Sequence, residues 1–330
     1  MSMNKLLFSF GLISDIQYAD IDPASNFSGT EHREYRSSVH AAAAVVKAWE
    51  NFEPPLTFIG QLGDLIDGQN AGAYGQGLTL DRPQSEQALE RVLKIWDQYS
   101  STVYHAIGNH ELYNFTWAEL RLKLNTQRVQ CTHQVATQEF YYSFTPYPGW
   151  RVIVLNSYED NVIKPKSERS RLYTERLLKE NNHNFGAKAP FNFFEGVPIE
   201  KQRYVPFNGG FGEKQLAWLK VELATMKERG EVGVIASHLP CFAPAASPKN
   251  IAFDADSLHT LIGSYAEQIW AYFAGHRHGG GYAKDHHGIH HVTIQSPLTH
   301  GICATTIEVY DDLLKISGIG AHRSYHLTRD

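Results

Sequence analysis

Cysteine is scarce in this chain of 330 residues: Cys131, Cys241 and Cys303 stand far apart and odd in number. That excludes a disulfide framework and a paired CxxC metal site, and it fits a reducing compartment, so a cytoplasmic location is expected. Positive charge is not in excess either. With 30 Lys and Arg against 35 Asp and Glu, the net charge is -5, without the basic bias of a nucleic-acid binder. Long apolar runs are missing too, and no stretch approaches the ~18 residues a membrane span needs. The opening run KLLFSFGLI (5 to 13) has no small-residue cleavage site after it and leads into an acidic turn, so it reads as a buried first strand and not a leader. Internal repeats, low-complexity tracts and linkers are also lacking. What remains is an ordinary globular composition, 42% hydrophobic, on a chain long enough for one large α/β domain. No nucleic-acid or membrane partner is expected, and a monomer is. The sequons at Asn26 and Asn114 are chance matches in a cytosolic chain. Any anionic substrate would have to be drawn by something other than net charge, and a bound divalent cation is the obvious candidate.

Short apolar runs predict strands over Leu6 to Ser14, Leu56 to Gly60, Thr102 to Ala106, Arg151 to Leu155, Val232 to Ala236 and Ile269 to Ala274. Helical spacing predicts helices over Arg33 to Phe52, Pro83 to Tyr99 and Glu213 to Arg229, the last ending at Gly230. The alternation argues for an α/β sheet buried on both faces. After residue 285 only strands follow, His290 to Gln295, Thr305 to Tyr310 and Leu313 to Ile319, which predicts a second, more antiparallel sheet layer. Residues 160 to about 212 break the rhythm with a basic helical piece and the irregular stretch FNFFEGVPIEKQRYVPFNGGFG. This reads as an insertion in a single domain spanning 1 to 330, either a substrate-binding loop or one merely anchored by its phenylalanines.

Polar residues collect where the strands end. Ser14-Asp15-Ile16-Gln17 follows the first, Gly60-Gln61-Leu62-Gly63-Asp64-Leu65-Ile66-Asp67 the second, and Gly108-Asn109-His110-Glu111 the third. Ser237-His238-Leu239-Pro240 and Gly275-His276-Arg277-His278 follow two later strands. Singly, each has a bland explanation as a cap, a turn or a satisfied histidine. Jointly they mean more, because ligands of an open α/β sheet bind in the crevice beyond the carboxyl ends of its strands.

In this order the clusters resemble the calcineurin-like metallophosphoesterase family, whose pattern D-x-H, G-D-x-x-D, G-N-H-E, H and G-H-x-H is matched from about residue 6 to 280. One position departs, Gln17 standing where the family has histidine; a side-chain amide oxygen can still serve a hard or borderline cation. A D-x-Q opening with an aromatic insertion before the GFGEKQLAWL helix looks like the manganese-dependent ADP-ribose/CDP-alcohol diphosphatases. The resemblance implies an α-β-β-α sandwich, two packed mixed β-sheets flanked by helices. It also implies two divalent metal ions, manganese first, with iron or zinc possible and magnesium less effective. The implied substrate is a small-molecule nucleotide diphosphate such as ADP-ribose or CDP-choline, cleaved to AMP or CMP by a hydroxide shared between the metals. Residue by residue, one metal falls to Asp15, Gln17, Asp64 and His278, and the other to Asp64, Asn109, His238 and His276. His110 would protonate the leaving oxygen, with Asp67 either orienting it or facing a helix dipole. A cyclic-nucleotide or other phosphodiesterase on the same scaffold is the alternative, and a binding module without catalysis a third.

Other residues invite weaker expectations. Phe27 could face a base, and Cys241 could line the pocket, although a packed thiol is the ordinary state of a small cysteine. His286, His287, His290 and His291 read as exposed turn and strand-edge residues and not a third metal site. Gly279, Gly280 and Gly281 are expected to turn the backbone tightly and keep side chains out of the crevice.

Overall fold

The structure is a computed structural model that describes residues 5–26, 29–72, 84–97, 99, 102–124, 139–187 and 192–329. Phe27 and Cys131 lie outside the described residues. The strands are β1 Leu6–Ile13, β2 Ala24–Ser25, β3 His32–Arg33, β4 Phe58–Gln61, β5 Thr102–His105, β6 Tyr142–Tyr147 and β7 Trp150–Val154. They continue as β8 Val232–Ala236, β9 Ile269–Ala274, β10 Gly281–Lys284, β11 His290–Thr293, β12 Cys303–Tyr310, β13 Leu313–Gly320 and β14 Tyr325–Thr328.

Two mixed sheets of six strands each form the body, in the orders β14-β13-β12-β1-β4-β5 and β10-β11-β9-β8-β7-β6. In the first, β1, β4 and β5 run parallel and β12 pairs antiparallel with β1; in the second, β7, β8, β9 and β11 run parallel. The late strands therefore do not build a sheet of their own, as their place in the sequence predicts. Every residue of β11 is buried, and it enters the second sheet beside β9; β12, buried along nearly its whole length, takes the free side of β1. A strand buried along both faces has to lie inside a sheet that is covered on both faces.

Period-two alternation explains the layering. Phe8, Phe10 and Leu12 of β1 face the second sheet and join Phe58, Phe144, Val152, Val234 and Phe273 in one buried cluster. Within it Phe10 stacks on Phe58 at 4.7 Å, and Phe144 and Phe273 meet that pair edge-on at 5.1 and 6.2 Å. On the opposite face of β1, Gly11 makes room for a helix, since a Cβ there would lie 2.7 Å from the Trp49 ring. Trp49 belongs to α1 (Ser38–Glu50), whose Val39, Ala42, Val45 and Val46 are buried at helical spacing. The outer faces are further covered by α2 (Ser85–Leu93) and α6 (Gly212–Arg229), the latter closed by Gly230 in the left-handed region as its sequence predicts. The short helices α3 (Asn109–Asn114) and α4 (Trp117–Lys123) follow β5. Between β7 and α6, residues 160 and 210 meet in an antiparallel bridge that closes the base of an excursion containing α5 (Glu168–Asn181). α7 (Ala255–Gly263) precedes β9, and α8 (Pro297–His300) precedes β12. No helix among the described residues is long and apolar enough to cross a membrane.

Candidate metal centre

Three loops leave the first sheet and two leave the second at the same edge of the sandwich, and hydrogen bonds between them fix the crevice. Asp15 N donates to Gly63 O and Gln17 N to Asp64 O, so the loops after β1 and β4 run side by side. Gly275 N donates to His238 O, which joins the loops after β8 and β9 in the same way. Across the two sheets, His276 N donates to Asp15 Oδ2 at 2.9 Å. The sequence argument from a single open sheet is corrected here: the ligands converge because two sheets present their strand ends together.

Asp64, His238 and His276 place ligand atoms within 4.8 Å of one another, all three buried. Each histidine has one nitrogen occupied outside the crevice. His238 Nδ1 lies 2.7 Å from Leu62 O, so it donates there and turns Nε2 into the crevice, 3.4 Å from Asp64 Oδ2. His276 Nε2 sits 2.9 Å from Asn208 Oδ1, leaving Nδ1 to face His238 at 3.2 Å. His278 Nδ1 meets Glu31 Oε1 at 2.7 Å, and its Nε2 faces Gln17 and Asp15. Pinning one imidazole nitrogen to a protein acceptor orients the other as a ligand.

The remaining donors fit a cation equally well. Asp15 Oδ1 and Gln17 Oε1 are buried with no hydrogen-bond partner, although such atoms are costly to leave unpaired. Gln17 Nε2 lies 3.0 Å from Asp64 Oδ2 and 2.9 Å from His278 Nε2. Turning that amide by half a rotation places its oxygen among these acceptors, an arrangement that a cation between them would stabilise. Asn109 is buried at the start of α3, and its Oδ1, which accepts from Tyr158 at 3.1 Å, keeps a second lone pair. Asp15, Gln17, Asp64 and His276 all hold positive φ, between 43° and 65°. Left-handed backbone at non-glycine residues is strained, and its concentration here marks a functional constraint.

The glycines before Asn109 and His276 are a matter of space. A Cβ on Gly108 would lie 2.0 Å from Asp64 Oδ1, and one on Gly275 would lie 1.8 Å from Ser14 Oγ. Gly108→Ala is expected to cost about 2 kcal/mol by overpacking and to lower metal content, measured by urea unfolding and elemental analysis. Unchanged values in both would contradict this account. The glycines after His278 act elsewhere: Gly280 has φ +65°, and a Cβ on Gly281 would lie 2.1 Å from Ala245 O. Gly280 thus supports the expected tight turn, but Gly281 admits a neighbouring backbone and does not clear the crevice.

Electrostatics tie the groups together. Burial would push the His238 imidazole down, yet the Asp64 carboxylate outweighs it and holds the ring up to about 9. Burial likewise opposes ionisation of Asp64, but His238 and His110 keep it well below the usual carboxylate range. His276 is held well below the ordinary imidazole value, first by burial and then by His238. Glu111, pushed up to about 7 by burial and by Asp64, accepts from the backbone N–H of Asp64, Leu65 and Gly108 at 2.6–2.8 Å. It therefore fixes the Asp64 turn from behind.

His110 stands at the rim, its Nε2 4.0 Å from Asp64 Oδ2 and its Nδ1 3.2 Å from Asp67 Oδ2. Gly68 N donates to that same Nδ1 at 2.8 Å, which favours the tautomer bearing its proton on Nε2. Asp67 Oδ1 caps the turn at Gln69 N, while its buried Oδ2 lies 3.2 Å from His110 Nδ1 without a hydrogen-bond partner, because Gly68 N–H already fills that nitrogen. Cys241 is 3% exposed, its sulfur 3.8 Å from His291 Nδ1, so it is packed and presents almost no surface. His290 and His291 are buried, not exposed, because β11 is an interior strand. Glu31, Tyr158 and Asn208 carried no sequence signal as site residues, since a supporting partner needs a distance and no particular spacing.

The family model described as Calcineurin-like phosphoesterase matches residues 8–280. The chain is 35% identical to the manganese-dependent ADP-ribose/CDP-alcohol diphosphatase of Bos taurus, covering 96% of this chain and 93% of that protein. It is 33% identical to the protein of that name in Homo sapiens, covering 96% and 91%. A dimetal phosphatase from Danio rerio, 31% identical, superposes with a TM-score of 0.88 over 99% of this chain and 100% of that one. The ordered clusters, the shared edge of two sheets and these near full-length likenesses together place the chain in the calcineurin-like phosphoesterase family, as a metal-dependent hydrolase.

Proposed function

We propose that the chain hydrolyses the phosphoanhydride of nucleoside diphosphate derivatives, ADP-ribose and CDP-alcohols among them, with two divalent cations, manganese in preference. The observation that carries a dinuclear reading is the pair of unpartnered buried acceptors, Asp15 Oδ1 and Gln17 Oε1, beside the Asp64, His238 and His276 ring. Asp15, Gln17, Asp64 and His278 would hold one ion, and Asp64, Asn109, His238 and His276 the other, with Asp64 shared. When bound, such a pair neutralises phosphate charge and lowers the pKa of a bound water toward neutrality. The oxygen-rich, thiolate-free donor set suits manganese, and the relatives named manganese-dependent support that choice.

The chain's own residues supply the rest. To act as general acid His110 has to carry a proton on both nitrogens; Nε2 then gives its proton to the leaving oxygen, the ring returns to neutral, and Asp67 Oδ2, 3.2 Å from Nδ1, balances the charge of the protonated form. The excursion over residues 160 to 212 contributes to the substrate pocket: Asn208 orients His276, and the Phe207 ring lies 6.2 Å from that imidazole. An aromatic face there suits a nucleobase. The names of the relatives support the substrates.

To test this, chelator-stripped protein is restored with manganese or magnesium and offered ADP-ribose, CDP-choline and cyclic AMP in parallel. Release of AMP from ADP-ribose and CMP from CDP-choline, faster with manganese, is expected. Turnover of cyclic AMP alone would replace this reading with the phosphodiesterase one.

A further inference from the structure

A second convergence of metal-ligating side chains lies outside the crevice. His259 on α7, Asp285 after β10 and His291 on β11 place ligand atoms within 4.8 Å of one another. Both imidazoles aim Nε2 at the same carboxylate oxygen: His259 Nε2 is 2.8 Å and His291 Nε2 3.0 Å from Asp285 Oδ2. The other oxygen, Oδ1, accepts from the backbone N–H of His287 and Ile289 at 2.9 Å each, so the carboxylate cannot rotate. Phe242 forms a floor beneath both rings, with centroids 5.0 Å from His259 and 4.7 Å from His291.

We propose that His259, Asp285 and His291 form a separate mononuclear site for a divalent cation, zinc by its ligand set. Two imidazoles and one carboxylate, each from a different element, are the protein ligands of an open zinc site, with water in the fourth position. The site opens on one side only: the His259 side chain is 16% exposed, against 2% for His291 and 0% for Asp285. Expansion of the present contacts by a few tenths of an ångström admits the ion, since ligand atoms of a tetrahedral zinc site stand roughly 3.2–3.5 Å apart, given zinc–ligand bonds of about 2.0–2.2 Å. For Nε2 to bind, each neutral imidazole carries its proton on Nδ1 instead. At His291 that N–H then points to Cys241 Sγ, 3.8 Å away and able to accept it. The thiol thus acts behind the ligand and not as one. The segment from His238 to Phe242 runs from the phosphoesterase crevice to this site, so the ion would brace the loop that carries His238.

The experiment uses the full chain, stripped with chelator, reloaded with manganese and then titrated with zinc. Dialysed wild type is expected to retain one more zinc per chain than His259→Asn, and to gain several degrees of thermal midpoint with zinc that the variant does not. Comparing the two cancels any zinc entering the crevice, because His259 is not part of it. Equal zinc content would overturn the proposal. Should His259→Asn fail to fold, anomalous scattering at the zinc edge from zinc-soaked wild-type crystals decides: a peak between His259, Asp285 and His291 supports the site, and its absence overturns it.

Discussion

Asp64→Asn is expected to lower kcat/KM by at least about a thousandfold, roughly 4 kcal/mol of transition-state stabilisation, and to reduce bound metal from two ions per chain to one or none. The fold should survive. Asparagine is nearly isosteric, and it tolerates the left-handed backbone that Asp64 holds at φ 60°, where most residues are strained. Its oxygen can still accept from His110 N, as Asp64 Oδ1 does at 2.9 Å. What disappears is the negative charge that holds His238 up and that both proposed ions would share. Elemental analysis, circular dichroism and steady-state kinetics on one preparation check all three statements. A variant that keeps two ions and full activity would remove Asp64 from the centre of the scheme.

His110→Ala is expected to act on a different quantity. Losing a general acid costs about 10²–10⁴ in kcat, while bound metal stays at the wild-type level because the His110 imidazole stands 4.0 Å from Asp64 Oδ2 and the backbone N–H that bonds Asp64 Oδ1 is kept in the variant. The effect should depend on the leaving group. A nitrophenyl ester of CMP, whose leaving oxygen needs no proton, should lose much less activity than CDP-choline. An equal loss on both substrates would mean that the imidazole positions substrate and does not protonate it, and metal loss would mean that it supports a ligand. Asp67→Asn gives a milder version, since it removes only the carboxylate facing Nδ1 at 3.2 Å.

Where a strand is interior and apolar, its sequence was enough: β8 and β9 begin and end where their hydrophobic runs do. Within the two six-stranded sheets, the strands without a sequence signature are β6, β10 and β14, and all three lie at sheet edges. Edge strands need be apolar on neither face, and β6 carries Pro146, which an edge tolerates. Helix α1 starts at Ser38 and not Arg33, because Arg33 is drawn into the short pairing of β2 with β3 and bonds Glu31. At the crevice, the clusters themselves were legible because each comes directly after the end of an apolar strand. Glu31, Asn208 and Tyr158 were not, since they arrive from loops whose course no periodicity records.

The Phe10, Phe58, Phe144 and Phe273 layer bears on more than stability. Asp15, Asp64 and Asn109 hang from one sheet, His238 and His276 from the other, and among the described residues the two groups meet as guests of separate scaffolds. The gap between them is set by the filling between the sheets, about 10 Å deep and rich in rings packed face to face and edge to face. Oil-like packing thus serves as the gauge block against which a polar mouth is machined: thinning the layer by one ring would change the width of the crevice without touching any residue in it.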